Sequence, residues 1–324
     1  MKKILITEYG NSSVLQLSDS PIPTPPAGQI LVQVARAGVN FIDIYQRSGL
    51  GIYGLDLPFT PGVEGSGVIV EIGPDVNHLK VGDRVAWAMT LGSYAEYVVL
   101  PSEKVALVPD EIELNIAAAA VLQGMTAHYL VNSTYAIKPG DVALVHAAAG
   151  GTGNLICQMI LEKGGRVIAT TSNSDKEKLI RETGVTDVIR YDSQNVLQGV
   201  KEFTEGKGVD VVYDGVGAAT FDDSLAALKP RSLMVLFGAA SGPVPLFDLQ
   251  RLNVNGSLFI TRPTMASYIT NRQELEIHMS EVFKLIMNGK LKIRIGHEYA
   301  LAQAALAHDD LSTRRTVGKL LLVP

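Results

Sequence analysis

Apolar and polar positions alternate in short runs over the first hundred or so residues, as in ILVQVARAGV, GSGVIVEIG, DRVAWAM and SYAEYVVL, with Gly, Pro and Asp between them. A period of two marks strands with one buried face, so this region is predicted to be β-rich and barrel-like. From Gly140 the rhythm changes. The runs DVALVH, RVIATT, DVIRY, VDVVYD, SLMVLF and SLFIT alternate with helix-length segments, a spacing that predicts a doubly wound parallel sheet. ELNIAAAAVLQGMTAHYLVNST joins the two regimes, reads as helical, and sets the domain junction near Gly124. After SLFITRP come a charged amphipathic helix, NRQELEIHMSEVFKLIMNGK, and two strand-like runs, IRIGHEYAL and GKLLLVP, predicted to rejoin the first domain. The expected organisation is a domain of residues 1–124 and 264–324 around a second of residues 125–263.

Composition narrows the partners. A chain of 324 residues can bury a large core, and a formal charge of -5 with no block of Lys and Arg argues against a polyanion-binding surface. Nucleic acid is not expected as the main partner. The single cysteine, Cys157, excludes an internal disulfide. The start, MKKILITEYG, is too short in apolar residues for a signal peptide, and Gln123 and His128 interrupt the longest apolar run, so no membrane span is expected. These features predict a soluble cytoplasmic protein.

VALVHAAAGGTGNLICQMI runs from a strand through glycines into a helix. Helix N-termini offer unpaired N–H groups, and glycines let a pyrophosphate approach the backbone. The dinucleotide fingerprint aligns on Ala148, Gly150 and Gly153, with alanine for its first glycine. The plain alternative is a tight turn between packed elements; the six-strand context favours cofactor binding. An acid about 20 residues after the glycines would hold a ribose diol. Here that position reads ATTSNSDK, with Thr171, Ser172 and then Lys176, and Tyr191 follows the third strand. A lysine and hydroxyl donors receive a 2′-phosphate that an acid would repel, so NADPH is expected over NADH.

The six histidines (His78, His128, His146, His278, His297 and His308) form no HExxH-type array, and Cys157 lies in a predicted helix, so no metal site is expected. Ser66 follows Gly65 directly in a strand-like run, VEGSGV, which is not a nucleophile elbow. What remains is a nicotinamide ring in need of an acceptor. VNFIDIYQRSGLGIYG places Asn40, Tyr45, Arg47 and Tyr53 in what reads as a loop, and aromatic faces with hydrogen-bond donors suit a flat carbonyl compound. Any one of these tyrosines alone would more simply be a loop anchor; their grouping favours function.

Taken with PFTPGVEGSGVI, LKVGDRVAW, GSYAEY, LQGMTAHYL, GDVALVHAAAGGTGNLICQ, VVYDGVG and RPT, these segments resemble the medium-chain dehydrogenase/reductases. Within them the chain is most similar to the zinc-free NADPH:quinone oxidoreductases, the group that includes zeta-crystallin. The resemblance spans the chain and implies an α/β protein: a GroES-like catalytic domain closed by the tail, a Rossmann domain, and a cleft between the two. Zinc-dependent relatives carry Gly-His-Glu where this chain has Gly62-Val63-Glu64, and Cys-Gly where it has Val39-Asn40. By carry-over, Asn40, Tyr45 and Tyr53 are substrate-pocket residues and Thr126 meets the nicotinamide end. Gly150, Gly151 and Gly153 hold the pyrophosphate; Ser172, Lys176 and Tyr191 hold the 2′-phosphate; Phe237 and Gly238 lie near the carboxamide; and Arg314 reaches the cofactor from the tail. The implied activity is hydride transfer from NADPH to a quinone without metal. The alternatives are an enone or 2-alkenal reductase and, from another class, an NADPH-holding structural or RNA-binding protein. A homodimer paired at the edge strand GSLFIT is implied as well.

Overall fold

Strand runs in the N-terminal third fold as predicted into a mainly antiparallel sheet, in a computed structural model that describes residues 1–313 and 316–324. Arg314 lies outside the described residues. Strands β1 (Lys2–Leu5) and β2 (Gln16–Asp19) pair with each other. There follow β3 (Gln29–Val39), helix α1 (Phe41–Arg47), β4 (Glu64–Ile72), β5 (Arg84–Ala88), β6 (Tyr97–Pro101), β7 (Val105–Leu107) and helix α2 (Leu114–Tyr129). Next come β8 (Val142–Val145), α3 (Gly151–Glu162), β9 (Arg166–Thr171), α4 (Ser174–Arg181), β10 (Asp187–Arg190) and α5 (Val196–Phe203). They lead to β11 (Val209–Asp214), α6 (Phe221–Ala226), β12 (Leu228–Leu236), α7 (Gln250–Val254) and β13 (Phe259–Thr261). The chain closes with α8 (Arg272–Met287), β14 (Ile295–Ala300), α9 (Ala304–Ser312) and β15 (Lys319–Val323).

The chain divides into two units, Met1–Met125 with Tyr268–Pro324, and Thr126–Ser267. In the first unit the sheet runs β14-β15-β3-β4-β5-β7, and β6 also pairs with β3. The long β3 is the hub: its N-terminal half takes β6, and its last residues, Ala37 to Val39, take β15 in antiparallel register. GKLLLVP is thus a strand of the first unit's sheet. Ile4, Ile30, Ile69, Trp87, Leu100 and Leu322 fill the core beneath it. Burying side chains of this size is worth roughly 1.5–3 kcal/mol each, which is why the strand pattern is so regular.

In the second unit six parallel strands lie in the order β10-β9-β8-β11-β12-β13, wound outward in both directions from β8. All six coincide with the predicted runs. Their continuous apolar character follows from burial on both faces, with Leu144, Ile168, Ile189, Val212 and Met234 in the core.

Two expectations need correction. The segment after Val39 is not a loop: α1 forms because Asp43 Oδ2 accepts the Asn40 N–H at 2.8 Å, and it stops at Gly49 with φ +65°. A side chain there would also be strained and would lie 2.8 Å from the Tyr9 ring. Second, Gln123 and His128 do not interrupt the apolar segment. Leu114–Thr134 is one helix, ending in a π turn, and is long and apolar enough by length and composition to cross a membrane; most of it is buried within the protein.

Candidate active site

Helix α1 starts from an unusual cap. Asn40 has the right residue type for an N-cap, yet its side chain makes no cap bond. Its amide serves a buried ion pair instead. Asn40 Nδ2 donates to Glu64 Oε2 at 2.8 Å, Lys319 Nζ donates to Asn40 Oδ1 at 2.6 Å, and Lys319 and Glu64 pair directly. The other Glu64 oxygen accepts the Leu122 N–H of α2 at 2.6 Å. Lys319 and Glu64 are almost completely buried, at 1% and 0% exposure, and neither leaves the other unpaired. Gly38 makes room for them, since a Cβ there would stand 2.0 Å from Glu64 Oε2.

One turn into α1 lies a second polar group. Tyr94 Oη is 3.2 Å from Asp43 Oδ2 and 3.0 Å from His308 Nε2, so α1, α9 and the Gly92–Tyr94 turn meet through three hydrogen-bonding side chains. Burial pushes the Asp43 carboxyl up to about 7, against the pull of the Asn40 N–H and Lys319. Burial pulls His308 down to about 3, with the Arg47 cation acting in the same direction. Among the described residues, the buried side-chain atoms without a hydrogen-bond partner all belong to this group: Asp43 Oδ1, Gln46 Oε1, Arg47 Nε and Nη1, and His308 Nδ1. Arg47, expected with the pocket donors, faces this interior at 8% exposure.

On the partly exposed side of α1, Tyr45 and Tyr53 come together as expected, their ring centroids 5.2 Å apart and tilted by 42°. Phe41 extends the row, 6.4 Å from Tyr45. Tyr9, not foreseen, braces the same segment through a hydrogen bond to Leu55 O and a ring beneath Gly49. The result is a small aromatic surface at a helix end.

In the second unit Gly150 caps α3, and the first intrahelical donor is Asn154 N–H, bonded to Gly150 O at 2.9 Å. The N–H groups of Gly151, Thr152 and Gly153 precede it and lie in the first turn, where anions bind. Gly153 packs close: a Cβ would be 2.6 Å from Ala147 O. The residues present therefore fit a dinucleotide pyrophosphate. At the end of β9, Thr171 O accepts the Tyr191 N–H at 3.0 Å, which brings the ends of β9 and β10 side by side. Ser172 lies there, with Lys176 in the first turn of α4, whose cap is Asn173. Tyr191 is 49% exposed, while Arg190 is committed to Glu177 and Asp192. Phe237 and Gly238 follow β12 and both donate their N–H to Asp214 O, at 2.8 and 3.3 Å. Thr126 is half-buried in α2.

Asp214 holds this end of the sheet together. Its carboxylate accepts the N–H of Val216 and Gly217 and the hydroxyls of Thr220 and Ser224, at 2.7 to 3.0 Å. Because Ser224 spends its proton on Asp214, it accepts from His146 Nε2 at 3.0 Å, and His146 Nδ1 accepts from Thr170 at 3.1 Å. Burial keeps His146 below its ordinary pKa, consistent with that neutral tautomer.

Two protein-family models match: an alcohol dehydrogenase GroES-like domain over residues 26–110 and a zinc-binding dehydrogenase over residues 151–279. A quinone oxidoreductase of Pseudomonas aeruginosa is 42% identical over 324 residues, covering 100% of this chain and 99% of the relative. The chain belongs to the quinone oxidoreductase family. The crystal structure of the Escherichia coli quinone oxidoreductase complexed with NADPH superposes with a TM-score of 0.97 at 39% identity, over 100% of each chain. A 2-haloacrylate reductase of Burkholderia is 37% identical over 94% of this chain and 93% of its own length. This member of the quinone oxidoreductase family is thus a medium-chain dehydrogenase/reductase with a GroES-like and a Rossmann part. The name of the second family model includes zinc, and the donor set here does not suit it. Among the described residues no group of three or more His, Cys, Asp or Glu is placed to hold a metal, and Glu64 already binds an ammonium.

Sequence reading missed Lys319, Asp43, Tyr94 and the Asp214 cluster. For Lys319 there was one signal, a lone charge at the head of the apolar strand KLLLV.

Proposed function

We propose that the chain is an NADPH-dependent quinone reductase that works without metal. The observation that carries the reading is full-length likeness to quinone oxidoreductases, one of them solved with NADPH. On this chain, the open first turn of α3 and the Tyr45–Tyr53 surface support it.

Bound NADPH would supply a hydride. Gly150, Gly151 and Gly153 would hold its pyrophosphate, Ser172, Lys176 and Tyr191 its 2′-phosphate, and Thr126, Phe237 and Gly238 its nicotinamide end. Hydride addition puts two electrons and one hydrogen into the quinone and leaves one negative charge on oxygen; a single proton then completes the hydroquinone. Tyr45 and Tyr53 would stack on the flat acceptor and donate hydrogen bonds to the developing oxyanion, and Asn40 would orient it. Residues 1–124 with 264–324 would form the catalytic domain and 125–263 the cofactor domain. The edge strand β13, where Phe259 is 62% exposed, is the place for a two-fold homodimer seam, and the cytoplasm the expected compartment.

The test is initial-rate oxidation of NADPH and NADH with a small quinone, an ortho-quinone and a 2-alkenal, after treatment with a chelator. Chelator-resistant NADPH oxidation with the quinones is expected; loss of activity on chelation would overturn the metal-free reading. The second reading, reduction of an activated C=C, is favoured by the likeness to the 2-haloacrylate reductase. Its sign would be a saturated product from the alkenal.

Lys176→Glu places a carboxylate where the 2′-phosphate is expected. The NADPH Michaelis constant should rise roughly tenfold or more while that for NADH stays nearly constant. Equal effects on the two cofactors would remove Lys176 from the phosphate site.

A further inference from the structure

The orientation of the Asn40 amide is dictated by its neighbours. Lys319 Nζ can only donate, so the amide atom 2.6 Å from it is the oxygen; the Glu64 carboxylate can only accept, so the atom 2.8 Å from it is the nitrogen. Both partners are themselves enclosed, at 1% and 0% exposure, on strands β15 and β4. Lys319 reaches over Gly38, whose missing side chain leaves room 2.8 Å from its Cε. One amide hydrogen remains. The second Nδ2–H donates a long, weak hydrogen bond to Gly38 O at 3.4 Å, which a better acceptor would displace.

We propose that Lys319 is a positioning residue for acceptor reduction, because it locks the Asn40 amide with its N–H, and not its carbonyl, available to the acceptor oxygen. This rests on the quinone-reductase reading above. As hydride adds to the ring, negative charge collects on that oxygen. A donor held ready stabilises the charge without reorganisation, whereas a flipped amide would present a carbonyl oxygen and repel it. The ion pair is neutral as a unit, so it fixes the orientation of the amide without adding net charge to the core.

The same pair reaches α2 through the Leu122 N–H, one helical turn before Thr126. A structural role alone would therefore disturb cofactor binding along with turnover. A locking role would separate them.

The experiment is a double-mutant cycle in the full-length enzyme with Asn40→Ala and Lys319→Met, following kcat and KM for a small quinone and NADPH affinity by fluorescence. Lys319→Met is expected to lower kcat roughly 10- to 100-fold with NADPH affinity held within about twofold. The double variant should be no slower than Asn40→Ala, because Lys319 acts through that amide. Losses that multiply, an unchanged kcat in Lys319→Met, or a kcat loss matched by loss of NADPH affinity would overturn the proposal. If Lys319→Met does not fold, the combined Lys319→Met and Glu64→Gln replacement, which removes both charges, takes its place in the cycle with Asn40→Ala. Absence of quinone turnover in the unaltered enzyme would instead remove the functional reading itself.

Discussion

Between pH 4 and pH 8, Asp43→Asn should gain on the unaltered protein by on the order of 4 kcal/mol in unfolding free energy. Asp43 has its carboxyl raised to about 7 in the folded state, so the native protein holds that proton while the unfolded chain has released it. Stability from the protonated form is fully present below the ordinary carboxylate range and is lost as pH rises through 7. Asparagine cannot titrate, so its curve lacks that loss. His308 works in the opposite sense. Its pKa, lowered to about 3, means that the neutral ring contributes stability above the ordinary histidine range, which disappears as pH falls toward 3. Replacing His308 with Gln should remove an acid-side loss of similar size. Urea unfolding across this pH range reads both, and parallel curves for Asp43→Asn and the unaltered protein would show that Asp43 titrates as an exposed acid.

Gly38→Ala is expected to cost about 3–5 kcal/mol, as much as breaking a buried ion pair. The backbone at Gly38 is not in the left-handed region, so the effect comes from space alone: the new methyl would stand 2.0 Å from Glu64 Oε2 and 2.8 Å from Lys319 Cε. Neither side chain can step aside, because each is enclosed and bonded to Asn40. Denaturant unfolding of the variant measures the cost. A midpoint equal to that of the unaltered protein would mean that the pair is not held as described.

Where burial is uniform, the fold was legible. The six parallel strands read clearly because a sheet covered on both faces needs unbroken apolar runs, and VALV or VDVVYD leaves little else to predict. The glycine turn read clearly because chain direction and residue size both constrain it. Helix α1 did not, for a specific reason: the residues it buries are Asp43, Gln46 and Arg47, so its inward face is polar and the usual periodicity is inverted. Lys319 and Glu64 were illegible for another: they lie 255 residues apart, and no local pattern links a charge at the head of one strand to a charge in another. Tyr45 and Tyr53 were found by their grouping, yet the caps and glycines that bring their rings to 5.2 Å show only in three dimensions.

The separation of Glu64 from Lys319 also dictates an order of assembly during synthesis. Unit Thr126–Ser267 has all its strands once β13 has left the ribosome, and can fold while the remainder is being made. The first unit cannot. Its sheet lacks β14 and β15, and the carboxylate of Glu64 has no cation, until Lys319 and its strand have been made. A chain halted before residue 319 could bury Glu64 only without its counter-charge, so strand β15 is the step that lets the first unit close over that acid.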